Sequence, residues 1–287
     1  MDSKSLAIVG IFWDGYYDIW EDFLELKSRF WKDCPYPLYI INQTRDLEYE
    51  TKYDVTVLHA GSDAEYSKKV QTALHNIDAD YFLLVLEDFF FTRTLEGSVL
   101  DKHIDLMQKE DLFYLRLPLK EFYSSFKGTK FKDYSTILNI SSNSEYTLSC
   151  QPSIWEKKFL MKCIGNGNYN AWVFEGIYAK SRMAHSIEFL SHCKIETSNT
   201  LSFVHGALQG KMIPQTIDCI KRCGYKMKNQ RPMLSASYYE SYERKEKLKS
   251  LIPFSLLKVI KKIIRKGSVL TKYEDEVVRQ MELMGIV

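Results

Sequence analysis

This 287-residue sequence has little net charge, few cysteines and no long apolar run. A formal charge of +2 argues against a nucleic-acid binder that works through a broad basic surface. The six cysteines are scattered through a chain too large to need disulfides. Cys219 and Cys223 are four residues apart, as two zinc ligands on a helix would be, but no second Cys or His pair completes such a site. We therefore expect reduced thiols in a cytoplasmic protein. No stretch is long and apolar enough to span a bilayer, and the N-terminus is not typical of a signal peptide.

Several catalytic patterns are missing as well. The sequence has no Gly-rich phosphate loop, no Ser-His-Asp order, no internal repeat and no low-complexity tract. Kinase and hydrolase functions are therefore poorly supported. Aromatic residues, in contrast, are abundant, with 19 Tyr, 16 Phe and 5 Trp. Such a composition suits a protein that stacks on sugars or bases, and it suits a well-filled core equally.

The stretch from Tyr81 to Thr92, YFLLVLEDFFFT, organises the rest of the chain. Its uncharged residues 81–86 predict a strand that is buried on both faces of a sheet. Glu87 and Asp88 follow at the carboxyl end of this strand, where ligands collect in open α/β sheets. Two carboxylates there suit a divalent ion that also binds phosphate oxygens. The alternative is that the pair marks the point where a core strand reaches solvent.

Strand and helix periodicities alternate through the first 120 residues. Predicted strands cover 6–13, 38–41, 53–58, 81–86 and 112–117, and predicted helices cover 17–31, 63–76 and 100–107. This alternation predicts a parallel sheet of the nucleotide-binding type. The following part is less regular, with strands expected at 136–140, 147–150 and 201–204 and helices at 152–164, 172–180 and 213–223.

The C-terminal part has a different character. Residues 244–266 contain nine Lys or Arg against one acid, Glu246, and beyond Pro253 the Leu and Ile residues fall on one helical stripe. A basic amphipathic helix of this kind suits the surface of an anionic membrane leaflet. The alternative is that its apolar stripe packs on the protein itself. A last predicted helix either dimerises or folds back through Val277, Val278, Met281 and Met284.

Four strings follow the N-terminal α/β part in a fixed order, namely LLVLEDFFF, SCQPSIW, WVFEG and FVHGALQGK. In this order the chain resembles the GT-A-type glycosyltransferases of bacterial capsule and exopolysaccharide biosynthesis, over roughly residues 6–212. The resemblance implies an α/β fold with a GT-A-like, Rossmann-type mixed sheet flanked by helices. It divides residues 1–230 into a nucleotide-binding half, 1–120, and an acceptor half, 121–230, followed by a helical tail, 231–287.

The resemblance implies a donor site at the ends of the first strands. Asp88, with Glu87, would hold Mn²⁺ or Mg²⁺ against the diphosphate of a nucleotide sugar. Most such enzymes carry Asp-x-Asp, whereas the local string here is Leu86-Glu87-Asp88, so the need for metal stays open. His205 would complete the ion's shell or touch the phosphates, unless it is an ordinary strand-end histidine. The nucleotide would be surrounded by Asp14, Tyr16, Asp18, Asn42, Asp63 and Glu87.

The resemblance also implies an acceptor site. Glu175 would take the proton from the acceptor hydroxyl, because apolar neighbours raise the pKa of a carboxyl group. The alternative is an exposed glutamate early in a helix, where the dipole favours it. Gln151, Ser153 and Trp155 would face the acceptor sugar, although Trp155 at helical spacing from Phe159 suits a core equally.

Together these features predict a cytoplasmic glycosyltransferase, held at the inner face of the cell membrane by its tail. It would transfer a sugar from a nucleotide donor to a saccharide acceptor, lipid-linked in keeping with that tail, with inversion and a carboxylate base. One alternative is a nucleotidyl- or phosphotransferase on the same fold, and another is a non-catalytic scaffold recruited to the membrane. No nucleic-acid partner is expected.

Overall fold

The computed structural model describes residues 5–48, 50–119, 128–144, 146–229, 231–251 and 272–286. Thirteen strands lie in this part of the chain: β1 (Leu6–Ile11), β2 (Leu38–Asn42), β3 (Val55–His59), β4 (Tyr81–Val85), β5 (Phe89–Phe91), β6 (Tyr114–Arg116), β7 (Lys130–Phe131), β8 (Tyr134–Asn139), β9 (Ser153–Glu156), β10 (Cys193–Glu196), β11 (Phe203–His205), β12 (Ala207–Leu208) and β13 (Lys211–Met212).

The described α-helices flank these strands. They are α1 (Tyr17–Phe30), α2 (Glu50–Tyr53), α3 (Tyr66–Asn76), α4 (Asp101–Lys109), α5 (Lys157–Ile164), α6 (Ala171–Lys180), α7 (Ile187–Ser191), α8 (Pro214–Arg222), α9 (Ala236–Leu251) and α10 (Glu274–Leu283). Short 3₁₀ turns cover Asp14–Tyr16 and Met183–His185.

One mixed sheet forms the centre, in the order β3-β2-β1-β4-β9-β6-β10-β8-β7. The strands β1 to β4 are parallel, and β9 runs antiparallel between β4 and β6. The chain leaves β1 towards β2 on one side and returns to β4 on the other. The carboxyl ends of β1 and β4 therefore form a topological switch point, where open α/β sheets bind their ligands.

The sheet is buried on both faces, which explains the continuous apolar strands. Successive β1 residues alternate between two cores. Leu6 and Ile8 pack with the side that carries α1, α4 and α8, and Ala7 and Val9 pack with α3, α5 and α6. All five residues of β4 are buried. The predicted mixed α/β sheet with flanking helices is confirmed.

Two predicted segments differ most from the structure. Residues 147–150 form no strand, and the helix expected from 152 begins at Lys157. Ser153–Glu156 instead forms β9, because the sheet offers it two partner strands, which override its helical spacing. Glu156 then caps α5 by accepting a hydrogen bond from the Phe159 main-chain N–H. The three phenylalanines after the acidic pair form β5, which pairs with β11 outside the main sheet.

The C-terminal predictions have mixed outcomes. The basic amphipathic helix predicted beyond Pro253 lies outside the described residues. Among the described helices, none has the length and apolarity needed to cross a bilayer. The final helix, α10, folds back on α6, with Val277 and Met281 buried in the core on that side of the sheet.

Candidate functional site

The loop after β1 is held by two buried ionisable side chains. Glu87 is 6% exposed, and its Oε1 accepts a hydrogen bond from the Trp13 main-chain N–H at 3.3 Å. Lys69, on α3, is 4% exposed, and its Nζ donates to the Phe12 carbonyl at 2.8 Å. Burial, followed by the charge of Asp88, raises the pKa of Glu87, whereas burial lowers the pKa of Lys69 against the opposing charge of Glu87.

Asp88 turns to a different partner. Its Oδ2 lies 3.2 Å from His205 Nε2, and both side chains keep some exposure to solvent. The contact forms because β5 and β11 are paired, and Gly206 donates its N–H to the Asp88 carbonyl at 2.6 Å. A Cβ at position 206 would overlap the Phe90 ring and lie 2.9 Å from the Asp88 carbonyl, so only glycine allows this approach. We call Trp13, Lys69, Glu87, Asp88 and His205 the switch-point cluster.

The structure brings together two of the three predicted metal ligands. Asp88 and His205 face each other, while Glu87 Oε1 accepts from the Trp13 N–H. No group of three His, Cys, Asp or Glu side chains with metal-binding geometry occurs in the described part of the chain. A carboxylate and an imidazole are nevertheless suitable donors for a divalent ion whose remaining ligands are phosphate oxygens and waters.

The predicted nucleotide-binding residues mostly support loops. Asp14 accepts from the Gln43 and Thr44 main-chain N–H groups at 3.0 Å, and so joins the loops after β1 and β2. Asn42 is fully buried and donates to the Arg45 carbonyl, while its Oδ1 has no partner among the described residues. Asp63 is exposed.

Tyr16 and Asp18 are covered by a residue from much later in the chain. The Arg231 guanidinium lies 3.9 Å from the Tyr16 ring centroid and forms an ion pair with Asp18. Arg231 Nη2 also donates to the Gly15 carbonyl at 2.8 Å. Burial and the charge of Asp88 raise the pKa of Tyr16, which lies close to the switch-point cluster.

Residues 225–229, with Arg231, form what we call the strap. Its anchor is Asp22 on α1, which is fully buried. Asp22 accepts hydrogen bonds from the Tyr225 hydroxyl, the Lys228 and Asn229 main-chain N–H groups and the Asn229 side-chain amide, at 2.8 to 3.2 Å. The strap is thus fixed to α1 at one end and to the loop after β1 at the other.

Glu175 lies in a second cluster. Its Oε1 accepts from the Ser149 hydroxyl and the Cys150 main-chain N–H, both at 2.9 Å. Burial raises the pKa of Glu175, against which these two hydrogen bonds act. Ser149 also accepts from the Gln151 N–H at 3.2 Å. We call Ser149, Cys150, Gln151, Trp172 and Glu175 the α6 cluster.

Both clusters lie at the same edge of the sheet. Ser153, the first residue of β9, pairs with Leu84 near the end of β4. Because β9 is antiparallel to β4, residues 149–151 lead into the sheet beyond the carboxyl end of β4. Glu175, which is bonded to this segment, is therefore at the edge that carries Asp88.

The three predicted acceptor residues have different surroundings. Gln151 is partly exposed as a residue, but its Oε1 is buried and has no partner among the described residues. Ser153 is buried and donates to the Gln151 carbonyl. Trp155 is 1% exposed, its indole N–H donates to Ser153, and its ring packs 4.4 Å from that of Tyr114. Trp155 is thus a core residue, the alternative that the sequence left open.

Sequence reasoning missed four residues near these clusters. Trp13 and Trp172 are 52% and 48% exposed, although the other three tryptophans are buried. Trp13 could have been found because it directly precedes the Asp-Gly turn. Trp172 could have been found because it lies three residues before Glu175, on the same side of the helix. Lys69 and Arg231 gave no signal, because their partners are distant in the sequence.

Comparison with known proteins gives a similarity of fold. No protein-family model and no curated protein matches the sequence. A crystal structure of S. aureus TarS 1–349 in complex with UDP-GlcNAc matches at 11% identity and TM-score 0.46, over 72% of this chain and 60% of that one. A cytidylyltransferase from Leptospira borgpetersenii matches at 12% identity and TM-score 0.40, over 66% and 75%.

UDP-glucose pyrophosphorylase complexed with UDP-glucose matches at 10% identity and TM-score 0.36, over 58% of this chain and 83% of that one. The chain spans less than two thirds of the length of the TarS fragment. Similarities at this level do not identify a function, so the site has to be interpreted from its own residues.

Proposed function

We propose that this protein is a glycosyltransferase that moves a sugar from a nucleotide-sugar donor to a saccharide acceptor with inversion. One observation carries the proposal: two carboxylates with opposite surroundings lie at one sheet edge. Asp88 is beside the imidazole of His205, and Glu175 is bonded only to neutral donors. The first suits a charged ligand and the second suits a proton acceptor.

The switch-point cluster would bind the donor. The exposed Trp13 ring offers a face on which a nucleobase can stack. Asp88, with His205 beside it, would hold a divalent ion, here Mn²⁺ or Mg²⁺, through the donor atoms described above. When bound, such an ion neutralises charge that develops on the leaving diphosphate.

The α6 cluster would bind and activate the acceptor. A carboxyl group whose pKa burial has raised is better matched to proton transfer near neutral pH. Glu175 would accept the proton of the acceptor hydroxyl while that oxygen bonds to the anomeric carbon. The bond from this carbon to the diphosphate oxygen breaks, and the nucleoside diphosphate leaves with the electron pair. The exposed Trp172 ring would contact the acceptor sugar. Gln151 Oε1 is buried, so this side chain would have to turn outward to reach the sugar.

A nucleotidyl- or phosphotransferase is the second candidate. It is favoured by the two hydrogen bonds that Glu175 accepts, because these also suit a purely structural side chain that anchors residues 149–150. Such an enzyme needs the charge at Asp88 but no base at Glu175. Loss of Glu175 would then leave its reaction intact.

The membrane-bound acceptor is part of the same proposal. Nine basic residues within 244–266 would attract an anionic leaflet, at about 1 kcal/mol for each charge near the surface. A lipid-linked saccharide at the inner leaflet would then lie close to the enzyme. We expect the protein to co-sediment with vesicles that contain anionic lipid. Co-sedimentation that does not increase with the anionic lipid content would contradict the proposed membrane contact.

The donor class is tested by thermal unfolding of wild type and Asp88→Ala with UDP, GDP, CMP and dTDP nucleotides, with and without Mn²⁺. A ligand at 100 times its Kd stabilises the native state by about 2.7 kcal/mol, which raises Tm. We expect one nucleotide class to raise Tm, more strongly with Mn²⁺, and Asp88→Ala to lose the Mn²⁺ effect. No shift with any nucleotide would overturn the proposal in favour of a scaffold.

A further inference from the structure

The peptide that joins Phe12 to Trp13 is held from opposite sides by two buried ionisable side chains. Lys69 Nζ donates to the carbonyl on one side of this peptide unit, and Glu87 Oε1 accepts from its N–H. Both side chains are at least nine-tenths buried. Two ionisable groups from α3 and from the end of β4 therefore meet at one peptide of the loop after β1.

This arrangement is unfavourable for stability alone. Removing an amine and a carboxyl group from water costs free energy, in either protonation state, that apolar side chains of similar size would not cost. The two main-chain hydrogen bonds offset part of that cost, and they are made to the loop that carries Trp13. The ring of Trp13 folds over Gly15, where an added Cβ would lie 2.7 Å from it. The loop and the ring are thus fixed together, although the ring itself is half exposed.

The neighbouring Asp88 has none of these contacts. Its carboxylate faces His205 on β11, and its main-chain carbonyl binds Gly206. Glu87 and Asp88 are adjacent in the chain but serve two different structural elements. The acidic pair is therefore divided between the loop after β1 and the β5–β11 pair.

We propose that Lys69 and Glu87 are positioning residues that hold the Phe12–Trp13 peptide so that the Trp13 ring is presented to the nucleobase of the donor. Glu87 is then not a ligand of the ion. The proposal rests on the nucleotide site proposed above, and it adds which residues shape that site. It predicts that Lys69 affects nucleotide binding although it never touches the nucleotide.

The experiment uses Trp13 fluorescence in the full-length chain. Trp20, Trp31 and Trp155 are at most 1% exposed, so Trp172→Phe leaves Trp13 as the one indole that iodide can reach. Iodide quenching and anisotropy are measured in this background without ligand, and nucleotide Kd is measured with and without Mn²⁺. The variants are Lys69→Met, Lys69→Arg, Glu87→Gln and Glu87→Leu.

The matched control is Lys194→Met. Lys194 is also a buried lysine that donates to main-chain carbonyls, but it lies on β10, away from the loop after β1. We expect Lys69→Met and Glu87→Leu to increase quenching, lower anisotropy and weaken nucleotide binding about tenfold. Lys69→Arg and Glu87→Gln keep a hydrogen-bonding group and should stay within about twofold of the parent. Lys194→Met should leave Trp13 and Kd unchanged, whatever its effect on Tm.

Two results would overturn the proposal. Loss of the Mn²⁺ effect in Glu87→Gln, as in Asp88→Ala, would show that Glu87 is an ion ligand. Lys69→Met and Glu87→Leu with unchanged quenching and anisotropy would show that the two side chains do not hold the loop. If wild type binds no nucleotide, the proposed function fails, while the ligand-free fluorescence still decides whether the two residues position Trp13.

Discussion

The switch-point cluster and the α6 cluster lie at one edge of the same sheet but place a carboxyl group in different surroundings. In the first, ionisable groups of both signs are gathered, and Asp88 faces an imidazole. In the second, a single carboxyl group is surrounded by a hydroxyl, a main-chain N–H and the apolar body of α6. Burial raises the pKa of Glu175, whereas Asp88 keeps some contact with solvent and has an imidazole beside it.

The difference shows how one fold can hold both an anion-binding site and a proton acceptor. Asp88 reaches this edge at the end of β4, and Glu175 reaches it from α6, and the elements that cover them differ. Asp88 is covered by the β5–β11 pair, whereas Glu175 is covered by the segment that enters β9. The surroundings of each carboxyl group therefore depend on the segment that covers it.

The sharpest test of this contrast is Glu175→Gln. The amide keeps the size of the side chain but cannot take a proton, so kcat for transfer should fall by roughly 10²- to 10⁴-fold, with nucleotide Kd unchanged. Release of nucleoside diphosphate is measured with the donor class found by thermal unfolding and with acceptor-bearing membranes. Glu188→Gln, an exposed glutamate on α7, is the control. Full activity in Glu175→Gln would favour the nucleotidyl- or phosphotransferase.

The second test concerns another buried ionisable side chain, His103 on α4, which lies outside both clusters. His103 is 4% exposed beside Thr200, and burial, with Lys102 adding to it, lowers its pKa to about 4. The unfolded chain therefore binds this proton at a higher pH than the native chain does. Stability should be lost as pH falls from about 6.5 towards 4, by up to about 3 kcal/mol from this group.

The measurement is urea unfolding of wild type and His103→Gln between pH 7 and 4.5. The variant should show a shallower loss of stability with acid, because its side chain cannot be protonated. His75→Gln, at an exposed position on α3, serves as the control. Equal slopes in His103→Gln and wild type would mean that His103 is charged in the native state.

Gly206→Ala tests the cover of the switch-point cluster. The added methyl group would overlap Phe90 and press on the Asp88 carbonyl. Overpacking of this kind costs about 1–3 kcal/mol of the free energy of unfolding. Chemical denaturation measures this loss, and nucleotide binding should weaken with it because Asp88 and His205 move apart. Unchanged stability together with unchanged nucleotide binding would contradict the tight approach of β11 to Asp88.

The smallest effect on stability is expected for Trp172→Ala. Because this side chain is half exposed, the free energy of unfolding should change by no more than about 0.5 kcal/mol. The acceptor KM should rise about two- to tenfold if the ring stacks on a sugar. Ile187→Ala, at an 88% exposed position, is the control. An unchanged acceptor KM would remove Trp172 from the acceptor site.

The sequence allowed most of the fold to be predicted, because buried strands and amphipathic helices have different periods. The strand β9 was missed, since Ser-Ile-Trp-Glu is too short for its period to decide between helix and strand. Only the two neighbouring strands, β4 and β6, decide it. The pairing of β5 with β11 was likewise not predictable from local pattern.

The candidate site was predictable where residues follow strand ends. Asp88 follows β4 and His205 ends β11, and the structure brings these two into contact. Glu175 lies on α6 and was predicted from its apolar neighbours and from the family resemblance. The division of the acidic pair was not predictable, because it depends on Lys69, which reaches Phe12 from α3. Arg231 was not predictable either, since its partner Asp18 is far away in the sequence.

The strap connects the helix α9 to the loop after β1, because Arg231 contacts Gly15 and Tyr16. Asp22 fastens one end of the strap to α1, and Arg231 lies on Tyr16 at the other end. The helix α9 begins at Ala236, shortly after Arg231. A displacement of α9 would therefore reach Tyr16 through residues 231–235, while Asp22 holds the preceding part of the strap on α1. The position of α9 is thus linked to the residue that covers Tyr16 and Asp18 beside the switch-point cluster.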